Sequence, residues 1–386
     1  MTYGSEPKQT ALVDYLESRV KQCPAPGLAT AIVKGDRIAW SKGFGWANRE
    51  SKVPMSANTL MNIGSISKTV TATAVMQLWE SGKFDLDDDV NGFLPYAVRN
   101  PRFPEAPITF RQLLTHRSSI KDGPAYGESY ACGDPTVSLE EWIREYFKKG
   151  GTYYDGEENF HTWKPGTVHP PERPRAYSNV GYGLLGALVE LISKTPFSQY
   201  CRDRIFSPLG MKDTCWYIKD LDAQRHAVPY SMVPDDINEE ERPFESLLPA
   251  KGLTPESLKP GSILPHCLYS FYNYPDGLVR TSVNELSRFL AAYIQGGVLG
   301  DARILKTDTV DLMLSPDHFE RALCWYPNES VSGEHLWGHG GGDPGISTYM
   351  GFRRKDKVGV IAFYNGRPGE NNKEVIDKLL EEAASL

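Results

Sequence analysis

The chain has 386 residues, 40% of them hydrophobic and 24% charged, with a net charge of −7. That length builds one large domain or two closely packed ones without staples. The acidic balance argues against nucleic acid or an anionic membrane as partner, and no run reaches the roughly 18–20 apolar residues of a membrane span.

The N-terminal segment Met1–Thr10 lacks the basic start and apolar stretch of a secretory signal, which makes a cytoplasmic location the expectation. Ala11 to Val20 reads as a first helix. Ala29–Val33 and Ile38–Trp40 form a hairpin across Lys34-Gly35-Asp36-Arg37. A helix is predicted from Ser65 to about Ser81, with Ile66, Val70, Ala74 and Leu78 on one face and Gly82 suited to its C-terminal cap. Another spans about Gly181 to Ser193. Ser282-Val-Asn-Glu285 reads as a capping box opening a third. Ser347–Arg353 and Val358–Tyr364 make a second hairpin, followed by a terminal helix carrying Val375, Ile376, Leu379 and Leu380.

Strand-rich ends around a helical middle predict one sheet built from both termini. The expected division is 1–64 plus about 280–386 as an α/β sheet region, about 65–279 as a mainly helical region, and an active site between them. Three long loop-like stretches, Gly123–Gly133, Gly151–Pro174 and Val228–Pro275, have the length of functional walls or lids. Two aromatic groups lie within them: Tyr153, Tyr154, Phe160 and Trp163, and Tyr269, Phe271, Tyr272 and Tyr274. Each is either core or the wall of a pocket. The acidic cluster Asp235–Glu241 reads as a solvated loop.

The six cysteines, Cys23, Cys132, Cys201, Cys215, Cys267 and Cys324, show no C-x-x-C and no metal spacing, and are expected to be reduced and structural. His116, His161, His169, His226, His266, His318 and His335 likewise lack ligand spacing. Neither metal nor cofactor is expected, because zinc, P-loop and dinucleotide motifs are all missing.

The chemistry concentrates in three places. Ser65-Ile66-Ser67-Lys68 sets an amine one helical turn from a hydroxyl, at a helix start whose N–H groups favour developing negative charge. Tyr177-Ser178-Asn179 offers a phenol to shuttle protons and an amide to hold lysine or substrate. Trp337-Gly338-His339-Gly340-Gly341-Gly342-Asp343-Pro344-Gly345 implies close backbone approach.

In this order and spacing the three elements resemble the S-x-x-K, Y-x-N and K/H-x-G motifs of serine β-lactamases, penicillin-binding proteins and their esterase and peptidase relatives, the class C branch above all. Ile108–His116, Trp163-Lys164-Pro165-Gly166 and Pro208-Leu209-Gly210-Met211 extend the resemblance over about residues 10 to 370. It implies an α/β (α+β) β-lactamase/transpeptidase-like fold and a Ser65 acyl-enzyme. Lys68 and Tyr177 would share the proton traffic, with either as the base. Asn179, His339, Gly340, Gly341 and Gly342 would serve substrate and oxyanion, the latter between the N–H groups of Ser65 and Gly342. The chain departs from the pattern at His339, where relatives carry lysine. A histidine is charged only conditionally, titrating near pH 6.5. The expected substrate is therefore a small ester or a short peptide-like amide. An acyltransferase, a β-lactamase or D-peptidase, and a catalytically silent binder are the alternatives.

Overall fold

The computed structural model describes residues 6–156, 158–167, 176–233, 247, 259–316, 322–329, 333, 335–369 and 372–386. The Asp235–Glu241 cluster, His169 and His318 lie outside the described residues, as do parts of the second and third long loops.

Near-continuous apolar runs close to both ends of the chain, buried on both faces at the centre, build the expected antiparallel sheet. Its strands are β1 (Gly27–Lys34), β2 (Arg37–Asn48), β3 (Val53–Pro54), β4 (Tyr326–Glu329), β5 (His335–Asp343), β6 (Ile346–Arg353) and β7 (Val358–Tyr364). Their order is β4-β5-β6-β7-β1-β2-β3. The two terminal hairpins meet where β1 pairs with β7, Ile32 opposite Val360. Strand residues two apart share a face. Leu28 and Ile32 therefore pack with Val360 and Ala362 against α1 (Glu6–Lys21) and the terminal helix Asn372–Ala383. Ala29, Ala31, Ile361 and Phe363 point the other way, into the larger core.

On that second face the predicted helices appear, with adjusted starts. The nucleophile candidate is not inside a regular helix. Gly64–Ile66 is a 3₁₀ turn, and α2 begins at Ser67 and runs to Glu80. Gly82 has φ +67°, as its capping role requires. The second helix, α3, starts two residues earlier than predicted, at Asn179, and ends at Ser193. Helix α4 (Val283–Ile294) is capped by Ser282, whose hydroxyl accepts from the Glu285 N–H. The Glu285 carboxylate accepts instead from the Asp213 N–H and the Thr214 hydroxyl, so only half of the capping box forms. The reciprocal box is at Thr109 and Gln112. Of the aromatic groups, Phe160, Tyr269, Phe271 and Tyr274 are core residues.

One expectation is overturned. Cys132 and Cys267 form a disulfide across 135 positions of sequence. The short strand Ala131–Cys132 pairs with Tyr269–Ser270, Cys132 facing Tyr269. That pairing delivers two thiols that no spacing rule connects. The remaining cysteines, Cys23, Cys201, Cys215 and Cys324, are free. Titration of the denatured, unreduced protein is expected to count these four thiols. Reduction, or Cys132→Ser, should lower unfolding stability by about 2–5 kcal/mol, as for a cross-link closing a long loop. Six titrating thiols would contradict the pairing.

Candidate active site

The site forms where the 3₁₀ turn, α2, the start of α3, the 273–277 loop and the end of β5 converge. Lys68 is fully buried, so its amine must find partners. Its Nζ lies 3.0 Å from Ser65 Oγ, 2.7 Å from Asn179 Oδ1 and 2.9 Å from the Asp276 carbonyl. The Asp276 carboxylate follows at 3.3 Å. The amine also sits over the Tyr177 and Tyr182 rings, 4.8 and 5.6 Å from their centroids, an arrangement that stabilises a cation.

Each partner is itself held. The Asn179 Nδ2 donates to Asp122 at 2.9 Å, which turns its carbonyl oxygen toward Lys68. Asp122 also accepts from the N–H groups of Asn179 and Val180, and the Ser178 hydroxyl accepts from Gly181 N–H. These contacts satisfy the first turn of α3. Burial raises the Asp122 carboxyl above its ordinary range, and the Val180 and Asn179 N–H groups oppose that rise. The Tyr177 ring stacks on His116 at 4.3 Å. Burial pushes the Tyr177 phenol well up; its interaction with Ser65 counters part of this. Among the described residues no hydrogen bond of full geometry closes on its hydroxyl.

Helix α3 admits Asp276 because it is glycine-lined. A Cβ at Gly183 would fall 1.7 Å from Asn273 Oδ1, and one at Gly186 would fall 2.5 Å from Pro275. The bare helix surface lets the 273–277 loop lie against it. Asn273 then donates to both the Asn179 carbonyl and the Asp276 carboxylate, each at 2.8 Å.

The third motif meets the first by backbone contact. Beyond Gly338 no described strand pairs with the outer edge of β5. That edge faces the nucleophile's turn: a Cβ at Gly64 would lie 3.0 Å from the Gly342 nitrogen, and one at Gly341 would lie 2.1 Å from the Ile63 oxygen. Gly342 therefore stands beside Gly64, the residue before Ser65. Gly340 and Gly342 are open to solvent, while Gly341 and His339 are buried. His339 Nδ1 is 2.6 Å from its neighbour's carbonyl, Gly340 O. That contact places the hydrogen on Nδ1 in the neutral ring.

Sequence reasoning brought together Ser65, Lys68, Tyr177, Asn179 and the glycine strand. It missed four supporting residues: Asn62, Asp122, Asp276 and Asp343. Asn62 receives the Gly64 N–H at 2.8 Å and donates to Asp343 at 3.0 Å, tying the turn to the end of β5. Tyr130 also donates to Asp343, at 2.9 Å. Burial lifts the Asp343 carboxyl to about 7; Tyr130 opposes the rise and the nearby Asp276 charge adds to it. An isolated Asn-Ile-Gly or Pro-Asp-Gly carries no spacing that would have announced these roles.

A family model described as Beta-lactamase matches residues 12–385. The chain belongs to the β-lactamase family. It is 23% identical over 368 residues to protein flp of Staphylococcus aureus strain MW2, covering 95% of this chain. It is 26% identical over 328 residues, 84% of this chain, to penicillin-binding protein 4* of Bacillus subtilis strain 168. The chain spans 64% of the length of each of these two relatives. Its fold superposes on a D-amino acid amidase from Ochrobactrum anthropi SV3 with a TM-score of 0.73 at 22% identity, covering 98% of this chain and 99% of the other.

Two outcomes follow from the geometry. Gly341→Ala should cost about 1–3 kcal/mol in chemical denaturation, because the new methyl group meets fixed backbone. Gly342→Ala, with nothing within 4 Å of the added carbon, should unfold like the parent; equal losses in the two would refute the contact. Asp343 gives a pH signature. Its folded pKa of about 7 lies above the unfolded value near 3.9, so the folded state binds the proton more tightly. The carboxyl's contribution to stability is therefore full below pH 4 and is lost as pH climbs toward 7. Relative to the parent, Asp343→Asn should melt progressively higher as pH rises from 4.5 to 8. A melting difference that stays constant over that range would contradict the assignment.

Proposed function

We propose that the chain is a serine hydrolase that opens a small amide or ester through an acyl-enzyme on Ser65. The observation that carries this reading is the 3.0 Å contact between Lys68 Nζ and Ser65 Oγ beside the Gly342 N–H. A serine needs a base and an oxyanion donor to react at neutral pH. Lys68, one turn on, supplies the first, and Gly342, whose nitrogen lies against Gly64, supplies the second.

Lys68 is the base favoured by the geometry. It contacts Ser65 directly, whereas burial holds the proton on Tyr177. As Lys68 takes the Ser65 proton, the freed oxygen pair attacks the substrate carbonyl carbon. The carbonyl oxygen becomes an oxyanion between the N–H groups of Ser65 and Gly342. Collapse breaks the bond to the leaving amine or alcohol, which receives a proton through Tyr177 or Lys68. Water then repeats the sequence on the acyl-enzyme and releases the acid.

The substrate class rests on two supports. One solved structure with this fold is a D-amino acid amidase. In addition, His339 replaces the permanent cation that would suit a carboxylate-bearing substrate. Together these favour neutral amides and esters over β-lactams.

A fluorophosphonate should label the peptide containing Ser65, and Ser65→Ala should abolish labelling and turnover. Lys68→Ala and Tyr177→Phe should each remove at least about a hundredfold in kcat. The double variant should be little worse than the worse single, as for residues acting as one unit. The substrate panel is aminoacyl anilides of both configurations, p-nitrophenyl esters and nitrocefin. Label on another serine, or nitrocefin as the best substrate, would overturn the corresponding part of the proposal.

A further inference from the structure

We infer that Asp276 is a positioning residue that supplies the counter-charge for the ammonium formed when Lys68 takes the proton of Ser65. The inference rests on reading Ser65 as the nucleophile and Lys68 as the base. It assigns the residue that makes that transfer affordable inside the protein.

The argument begins with counting. Four acceptors surround Lys68 Nζ: Ser65 Oγ at 3.0 Å, Asn179 Oδ1 at 2.7 Å, Asp276 O at 2.9 Å and Asp276 Oδ2 at 3.3 Å. A neutral amine has two N–H bonds and one lone pair. The two shortest contacts, to Asn179 and to the Asp276 carbonyl, take those hydrogens and aim the lone pair at Ser65. The longest contact, to the Asp276 carboxylate, then has no hydrogen to share. When the Ser65 O–H bond breaks and a third N–H forms on Lys68, the balance changes. The ammonium has three hydrogens and can direct one at the Asp276 carboxylate, the carboxylate within hydrogen-bond reach among the described residues. The ion pair thus strengthens as the transition state is approached, which is the condition for an interaction to accelerate the step.

Burial makes the charge matter. The side chains of Lys68 and Asp276 are 0% and 3% exposed, so water cannot screen the new cation. Burial raises the Asp276 carboxyl above its ordinary range, and Lys68, Asn273 and Tyr126 oppose that rise. Its Oδ1 accepts from Asn273 at 2.8 Å and its Oδ2 from the Tyr126 hydroxyl at 3.1 Å. Tyr126 lies 3.4 Å from Tyr130, which donates to Asp343. The other titratable groups turned toward this pair come from separate elements. They are Asp122 before α3, Tyr177 and Tyr182 around its start, Cys324 before β4, and Asp343 at the end of β5.

The test is Asp276→Asn, which keeps the shape and removes the charge. Fluorophosphonate should still reach Ser65 and label it, at a rate reduced at least about tenfold. The kcat/KM for a p-nitrophenyl ester should fall by a similar factor with KM little changed. The acid limb of its pH profile should move to lower pH, because a neighbouring anion favours the ammonium and its removal favours the free amine. The same profile in Asp343→Asn separates any contribution of that carboxyl. Asp276→Glu should recover part of the rate and leave the limb in place. A parental rate and limb in Asp276→Asn would overturn the inference. A lost rate with an unmoved limb and no recovery in Asp276→Glu would also overturn it, marking a merely structural residue. If Asp276→Asn does not fold, Asp276→Ser takes its place: a reduced rate with the limb moved to lower pH supports the counter-charge, and an unmoved limb refutes it. Failure of the unmodified protein to label at Ser65 would instead overturn the hydrolase reading beneath it.

Discussion

A lysine amine with no access to water is the constraint around which this molecule is arranged. Lys68 occupies the second position of the central helix, and an unpartnered charge there would cost several kcal/mol. Each neighbouring element answers that demand. The start of α3 brings an amide oxygen, the 273–277 loop a carbonyl and a carboxylate, and two tyrosine faces surround the nitrogen. The glycines of α3 matter for the same reason, since their missing side chains are the space through which the loop reaches the lysine. Packing and chemistry are here one requirement: the groups that make a buried amine tolerable also place it against a serine.

The support is layered. Asp122 decides which end of the Asn179 amide faces the lysine. Asn62 and Asp343 bind the nucleophile's turn to the strand that carries Gly342. None of these groups needs to touch a substrate. They fix the orientation of those that would, and a reacting geometry is sensitive to displacements of the order of an ångström.

The sheet from both termini, the hairpins and the helices were legible because their signals are local. Short apolar runs beside a turn at Gly35-Asp36, and apolar residues every third or fourth position, mark them without reference to distant sequence. Ser65, Lys68, Tyr177 and Asn179 were legible because three short motifs keep their order. The supporting carboxylates were not. Asp276 acts through a loop whose approach depends on glycines some ninety residues earlier, and an acid in a Pro-Asp-Gly turn reads first as turn chemistry. The Cys132–Cys267 bridge was missed for a related reason: strand pairing, not spacing, unites its halves. The helix at the nucleophile was extended too far, because apolar periodicity does not distinguish a 3₁₀ turn from the α-helix that follows.

The contact between the nucleophile's turn and β5 decides where this site can change over generations. Two stretches of main chain, Ile63–Gly64 and Gly341–Gly342, touch without side chains between them. At Gly64 and Gly341 neither strand of main chain can accept a larger residue unless the other retreats, so drift at one is blocked by the other. The outward positions Gly340 and Gly342 have room for a side chain, and the Gly123–Gly133 stretch that carries Tyr126 and Tyr130 is a connecting segment with one short helix, Pro124–Glu128. Inherited variation in what the enzyme accepts, and libraries made to redirect it, would therefore accumulate along the rim and the loops, while the seam beneath the serine stays bare.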